Sequence, residues 1–455
     1  MLIDDLARIL FQAKPFVQFG TKLEEGEDAT VAVPLSMRPL IIAALFARNP
    51  RPMVVLLAGE EAVERFVREL RGYLGGETVL TLPIRDDLPW SEKPPQVRAV
   101  GQRARAIYAM DQGAPKLVVA SARALLRCVP PAQSGVFAPL AFTVGEQLHG
   151  NARYDILPQT LTLMGYERLD RADEPGSFSV RGDVIDIFAS DAISPVRIEL
   201  FDDNVESIRR VVAATGQSIG AVAEFEVYPA RELALTRDAV DLATRKLLIS
   251  DSGRKLPKNA AYHLDLMKQG ILFAQSELYL PYLYAQPTTP MAYLSPETLV
   301  VPIEPRSLFD DASRYNEEIE SAAKAVDIDL AGLFIKPAEL DFGNQQRLTL
   351  LSLVSSGATL DASIEVKHAQ IAGSDERLVA SARSLTLAGF KTLLAEPDRR
   401  VRESLKLALS DAHLTFVDST AREASTGDAD SRALTRPQLH SGAPADLAAS
   451  QLEQS

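Results

Sequence analysis

Few residues of this sequence have the types and spacing that catalysis or metal binding requires. Paired acids occur at Asp86-Asp87 and Asp310-Asp311, where polar, loop-like contexts favour turns or helix caps over a two-carboxylate site. The single cysteine, Cys128, lies in an apolar run and is predicted to be a buried hydrophobic residue rather than a nucleophile. None of the five histidines has a second potential ligand at the spacing of a zinc site. The histidines are His149, His263, His368, His413 and His440. The sequence therefore predicts no catalytic residue and no bound metal.

A nucleotide site would require a glycine-rich phosphate loop between a strand and a helix, because closely packed backbone N–H groups and one lysine hold the phosphates. Residues 31–39, which precede the first predicted helix, contain no glycine and no lysine, and Pro34 and Pro39 lack N–H donors. Phe19-Gly20-Thr21-Lys22 has both residue types without the required spacing. We therefore expect no nucleotide, no other cofactor and no ATPase activity.

Composition and charge are those of an ordinary globular protein, with 46% apolar and 24% charged residues. The amino terminus has acids where a signal peptide is basic, and the longest apolar runs are too short to span a bilayer. A soluble, cytoplasmic protein without a membrane partner is expected. The net charge of −13 argues against DNA as the primary partner, since phosphate binding needs clustered basic residues.

Apolar patterning predicts five segments along the chain. Residues 1–141 alternate short apolar strands with helical stretches, which indicates a doubly wound parallel α/β domain. Residues 142–228 predict a smaller inserted β-rich domain, and 229–360 a mostly helical continuation of the first domain. Residues 361–420 predict a small α/β unit. Residues 421–455 have almost no large apolar side chains and are predicted to be disordered.

Individual elements follow from the same patterns. Strands are predicted at 52–58, 78–82, 116–121, 390–394 and 414–417. Helices are predicted at 40–46, 60–74, 96–110, 381–389 and 400–410, and another is predicted to begin at 122–127.

The β-rich segment contains a candidate binding surface. Alternate residues of a strand share a face, so in 196–201 the core face carries Val196, Ile198 and Leu200 and the other face carries Arg197, Glu199 and Phe201. In 177–181 the same alternation turns Phe178 and Val180 inward and Ser179 and Arg181 outward. Arg181-Gly182-Asp183, which spells a cell-attachment tripeptide, is predicted to be a turn between two strands.

If these strands belong to one sheet, Arg181, Arg197 and Phe201 line one solvent-facing surface. Arginine and aromatic side chains are the usual anchors of protein interfaces. A singly exposed phenylalanine and two solvated arginines would give the same pattern, because isolated exposed apolar residues are common. The alternation by itself leaves both interpretations open.

Residues 165–208 closely resemble the domain that transcription-repair coupling factors share with the excision-repair helicase UvrB. The specific match is Ser-Phe-Ser-Val-Arg-Gly-Asp-Val-Ile-Asp-Ile-Phe at 177–188 and Pro-Val-Arg-Ile-Glu-Leu-Phe-Asp-Asp at 195–203. A looser likeness reaches from the start of the chain to about residue 420, through Leu82-Pro83, Leu88-Pro89-Trp90, 98–110, 117–126, 270–271, 279–283 and 293–301. The resemblance is to the amino-terminal, UvrB-like half of that family only.

The resemblance implies a specific partner. Members of the family recognise stalled RNA polymerase, displace it with a DNA translocase motor and recruit UvrA, the damage-recognition ATPase. In their UvrB-like half, the first domain resembles a helicase domain that has lost its nucleotide site, and the β-rich domain docks UvrA. Matched one residue at a time, the docking arginines fall on Arg181 and Arg197 and the docking aromatic falls on Phe201. UvrA is therefore the expected partner of this chain.

Departures from the family limit what the chain is expected to do alone. The sequence contains no second phosphate loop and no Asp-Glu-x-His motor motif. DNA and RNA polymerase are expected to be bound only through family domains that this chain lacks. We therefore expect an adaptor rather than an enzyme. The alternatives are a UvrB-like ATP-dependent helicase that binds DNA damage, or a nonfunctional fragment of a coupling factor.

Overall fold

The computed structural model describes residues 2–248, 259–352, 359–364, 375–388 and 399–414. The strand predicted at 390–394, nearly all of the one at 414–417 and the tail at 421–455 lie outside these residues. Twelve helices are described: α1 (Leu2–Leu10), α2 (Lys14–Glu24), α3 (Arg38–Arg48), α4 (Glu60–Leu74), α5 (Val97–Asp111), α6 (Leu157–Leu163), α7 (Arg237–Leu248), α8 (Ala260–Lys268), α9 (Leu280–Leu283), α10 (Pro305–Val326), α11 (Asp375–Leu387) and α12 (Arg399–Asp411).

The described strands are β1 (Ala29–Ala32), β2 (Met53–Leu57), β3 (Val79–Leu82), β4 (Leu117–Ser121), β5 (Leu140–Thr143), β6 (Glu167–Arg168), β7 (Ser177–Arg181), β8 (Val184–Phe188), β9 (Val196–Phe201), β10 (Asn204–Val211), β11 (Ser218–Ala221), β12 (Glu224–Val227), β13 (Leu299–Pro302), β14 (Leu348–Leu351) and β15 (Ala362–Ser363). Within the described residues, no helix is long and apolar enough to cross a membrane.

A parallel sheet organises the first part of the chain. β13, β2, β4 and β3 lie side by side in that order, and β14, β1 and β15 form a second parallel group. Single bridges from Val300 to Arg347 and from Ile303 to Leu350 connect β13 to β14, so the two groups form one continuous sheet. The doubly wound parallel architecture predicted from the alternating elements is confirmed.

The apolar run of β2 reflects burial on both faces of this sheet. Met53, Val55 and Leu57 belong to one core, together with residues of α3 and α4. Val54 and Leu56 belong to the other core, together with residues of α5. A strand covered on both faces needs apolar residues at every position rather than at alternate ones, which explains why the run is continuous.

Two local predictions are wrong. The helix expected from residue 122 is only a short 3₁₀ turn, Arg123–Leu125. The stretch predicted to be mostly helical has α7, α8, α9 and α10, and it also contributes the short strands β13 and β14. Asp310 and Asp311 lie inside α10 rather than in a loop, and Asp311 is buried and paired with Arg123 at 2.5 Å.

The β-rich part contains a sheet with the order β11-β10-β9-β8-β7-β6. Its neighbouring strands are antiparallel, except that β6 and β7 run parallel. β5 and β12 form a separate antiparallel pair. Phe178, Ile185 and Ile198 are fully buried at the centre of one core beneath the sheet. The predicted β-rich region is confirmed, while the exact domain limits stay a prediction.

Two glycines let the β-rich part approach α5 closely. A Cβ atom on Gly101 would lie 2.3 Å from Ser190 Oγ, and one on Gly176 would lie 2.7 Å from Val97 Cγ1. Real Cβ atoms do not approach other atoms this closely, so any larger residue would push the two surfaces apart. The contact fixes the start of β7 against the first turn of α5.

Candidate docking face

Two antiparallel pairings bring the predicted site residues onto one face of the six-stranded sheet. β7 and β8 are joined by the turn Gly182-Asp183, with Gly182 at φ +56°, and Arg181 pairs with Val184. Between β8 and β9, Val184 pairs with Glu199. Paired residues point to the same side of a sheet. The predicted turn at Arg181-Gly182-Asp183 is thereby confirmed, and Arg181 lies on the same face as Glu199.

The opposite face of β9 is buried, as the alternation predicts. Val196, Ile198 and Leu200 have exposed fractions of 1%, 0% and 7%, and they belong to the core beneath the sheet. Arg197, Glu199 and Phe201 consequently lie on the outer side. We call this side, which carries Arg181, Asp186, Arg197, Glu199, Phe201, Ser207 and Arg209, the outer face. Ser179 departs from the expectation, since it shares this side but is buried.

Phe201 lies at the end of β9 with 69% of its surface exposed. It pairs with Asn204 across a two-residue turn in which Asp202 and Asp203 have φ values of 49° and 64°. Exposing a large aromatic side chain forgoes the free energy that its burial would contribute. At this position the side chain is available to a partner.

Arg197 is held against the sheet by a carboxylate of the neighbouring strand. Its Nε donates to Asp186 Oδ1 at 2.8 Å, and its Nη2 donates to Asp186 Oδ2 at 2.9 Å. These hydrogen bonds, together with the charge of the carboxylate, raise the pKa of Arg197 above its ordinary value. The Arg197 side chain remains one-third exposed. It is therefore neither free in solvent nor buried.

The other arginines of the outer face also have partners within the chain. Arg181 is exposed, and its Nη2 donates to the backbone carbonyl of Asp170. Arg209 lies 3.4 Å from the Glu199 carboxylate, which also accepts a hydrogen bond from Ser207 Oγ at 2.7 Å. Sequence reasoning missed Asp186, Ser207 and Arg209, because only the register between strands shows that they share the face.

The position of a phosphate loop, between β1 and α3, is occupied by an internal ion pair. Arg38 is buried, and its guanidinium donates to the Val33 carbonyl at 3.3 Å and to Glu304 Oε1 at 2.5 Å. Glu304 Oε1 also accepts the backbone N–H of Ser352 at 2.6 Å. An arginine committed to these acceptors differs from the exposed lysine and open backbone N–H groups of a phosphate cradle.

The other residues considered for catalysis or metal binding are buried or paired with neighbouring side chains. Asp87 forms an ion pair with Arg85 at 2.6 Å, and Cys128 is buried, which raises the pKa of its thiol to about 12. His263 Nδ1 lies 2.8 Å from the hydroxyl of Tyr279, and its ring stacks on Phe273. In the part of the chain that the structure describes, no group of three His, Cys, Asp or Glu side chains could hold a metal ion.

Residues 140–233 match the family model described as the UvrB interaction domain, and they include every strand of the outer face. Around this domain the chain is similar to transcription-repair-coupling factors, as the sequence motifs had indicated.

Three of these relatives illustrate the extent of the similarity. The protein of Myxococcus xanthus is 33% identical over 232 residues, which are 49% of this chain and 19% of the relative. The protein of Bacillus subtilis is 28% identical over 338 residues, which are 71% of this chain and 28% of the relative. That of Mycobacterium tuberculosis is 32% identical over 272 residues, 57% of this chain and 21% of the relative. The chain thus matches between about a fifth and just over a quarter of these relatives' length.

Proposed function

We propose that this chain is a UvrA-recruiting adaptor of transcription-coupled nucleotide excision repair, and that it acts without an ATPase or translocase motor of its own. UvrA docks on the outer face through Arg181, Arg197 and Phe201. The single observation that carries the proposal is the exposure of Phe201 beside arginines on the outer face of a UvrB interaction domain. DNA and RNA polymerase are bound only by other proteins or domains, not by this chain.

The chemistry of the outer face supports this assignment. An exposed aromatic ring offers an apolar anchor, and arginines offer planar donors for carboxylates and backbone carbonyls. Arg197 and Phe201 are four residues apart on β9, and this even spacing makes both project from the same side of the strand. An aromatic anchor ringed by polar groups is the usual composition of a strong interface centre.

The alternative of a UvrB-like ATP-dependent helicase has less support. The Arg38–Glu304 ion pair lies just after β1, where a phosphate loop would begin. Residues 31–39 also contain neither glycine nor lysine. DNA-stimulated ATP hydrolysis that co-purifies with the chain through several columns would favour the helicase over the adaptor.

The test of the docking proposal is a set of three alanine variants titrated with purified UvrA. Arg181→Ala, Arg197→Ala and Phe201→Ala should each weaken binding, with the dissociation constant for Phe201→Ala rising about thirtyfold or more, the effect typical of a lost interface anchor. The melting temperature should hardly change, because none of the three side chains belongs to the core.

Matched controls separate docking from folding. Ile193→Ala removes an apolar side chain that is 81% exposed in the same β-rich part, and it should leave UvrA binding intact. Leu200→Ala empties a core position on β9 and should destabilise the fold by about 2–5 kcal/mol. If the three outer-face variants bind UvrA as tightly as the parent chain, this face is not the docking surface.

A further inference from the structure

The outer face places two arginines directly opposite each other on neighbouring strands. Arg197 on β9 lies directly opposite Asp186 on β8 and directly opposite Arg209 on β10. Two like charges facing each other across neighbouring strands repel. Each arginine instead contacts a carboxylate, Asp186 for Arg197 and Glu199 for Arg209.

The contact between Asp186 and Arg197 uses only part of the guanidinium group. Nε and Nη2 donate to the two oxygens of Asp186, and among the described residues Nη1 has no hydrogen-bond partner. The bidentate geometry fixes the plane of the guanidinium, so the direction of the remaining N–H donors is also fixed. The Asp186 side chain is only 16% exposed, whereas that of Arg197 is 33% exposed. Arg197 is therefore the more accessible member of the pair.

We propose that Asp186 is a positioning residue for docking: its bidentate contact orders Arg197 in the free protein and leaves Nη1 available to a carboxylate or carbonyl oxygen of UvrA. The inference rests on the proposed function and adds a residue to it. Ordering a long side chain before binding removes part of the conformational entropy that association otherwise costs. Asp186 thus acts through Arg197 rather than by touching the partner.

The sign of the expected effect distinguishes positioning from simple electrostatics. Neutralising Asp186 makes the outer face more positive, and by charge alone a carboxylate-bearing partner should then bind more tightly. It also frees Arg197 to adopt many rotamers and to be repelled by Arg209. If positioning dominates, binding becomes weaker although a repulsive charge has been removed.

The experiment compares UvrA titrations of Asp186→Asn and of the charge-matched control Glu224→Gln. Glu224 is an exposed acid on β12, outside the six-stranded sheet. Asp186→Asn should raise the dissociation constant about threefold to tenfold, the equivalent of ordering one long side chain on binding. Glu224→Gln should leave it unchanged. The melting temperature of both variants should stay near that of the parent, because partly exposed ion pairs contribute little stability.

A double-mutant cycle then asks whether Asp186 works through Arg197. In the Arg197→Ala background, Asp186→Asn should have no further effect on UvrA binding. Additive losses, an unchanged affinity or tighter binding for Asp186→Asn would each overturn the inference. It fails separately from the proposed function, because Arg197→Ala and Phe201→Ala would still weaken binding if only the role of Asp186 were wrong.

Discussion

Burial decides the reactivity of the single cysteine. Cys128 is 6% exposed, and burial raises the pKa of its thiol to about 12. The thiolate is the reactive form, so a raised pKa leaves almost no nucleophile at neutral pH. In the native chain at pH 8, Cys128 should therefore react with an aromatic disulfide reagent far more slowly than after unfolding in guanidinium chloride. Equal rates in the two states would contradict the buried environment.

Asp186 and Arg197 illustrate a second relation at the residue scale. The carboxylate that orders a candidate docking arginine is eleven residues away in sequence and belongs to another strand. Neither residue type is unusual in itself. What matters is the antiparallel register between β8 and β9, which places the two side chains opposite each other.

At the scale of an element, the turn between β9 and β10 is strained in a way that substitution can relieve. Asp202 and Asp203 both have positive φ, which two-residue turns of this hairpin type require and which Asn-Gly adopts at lower cost. The double substitution Asp202→Asn with Asp203→Gly should stabilise the chain by about 0.5–1 kcal/mol in urea unfolding. Asn-Gly adopts the same type of turn, so the ring of Phe201, which directly precedes the turn, should keep its position.

The neighbouring hairpin provides the control for this prediction. Asp183, in the turn between β7 and β8, is not among the residues with positive φ. Asp183→Gly should therefore lower stability, since glycine adds conformational freedom to the unfolded chain without relieving strain. Stabilisation by both substitutions, or by neither, would show that backbone strain at Asp202 and Asp203 does not explain the result.

At the scale of the whole molecule, a buried group of charges joins distant parts of the chain. Glu277, which precedes α9, lies 2.5 Å from Arg127 and 3.2 Å from Arg85. Glu232, where the chain leaves the β-rich part, lies 2.5 Å from Arg103 of α5. The group therefore connects the end of the inserted β-rich part to the parallel-sheet body and to the helical segment that follows.

Removing one member of this group should destabilise the whole fold. Burial would raise the pKa of Glu277, but the charges of Arg85 and Arg127 outweigh it, so the pKa is lowered. Its ionised carboxylate contributes stability above the ordinary glutamate pKa, and this contribution is lost as the pH falls through the lowered value. Glu277→Gln should therefore cost about 3–5 kcal/mol in urea unfolding at pH 7 and less at acid pH.

A surface acid gives the matched control. Glu77 pairs with Arg105 at 2.7 Å, but its side chain is 79% exposed. Glu77→Gln should change the free energy of unfolding by less than about 1 kcal/mol, because solvent screens such pairs. If Glu77→Gln and Glu277→Gln lowered the free energy of unfolding by similar amounts, burial would not explain the strength of the ion pairs of Glu277.

Features that depend on neighbours along the chain could be predicted from the sequence alone. The short apolar runs of β2 and β4 predicted strands of a parallel α/β domain, and the alternation in 196–201 predicted which side chains of β9 are buried. The sequence alone also shows that 31–39 is not a glycine-rich loop, because a phosphate cradle is built from consecutive residues.

Features that depend on which strands become neighbours are visible only in the folded chain. β14 and β15 join β1 although more than 300 residues separate them from it, and no local pattern specifies that pairing. The partners of Arg197 and Arg181 were likewise decided by strand register and by the path of the loop through Asp170. Side-chain alternation and apolar periodicity are local properties, whereas register and ion pairing depend on contacts made only when distant segments pack together.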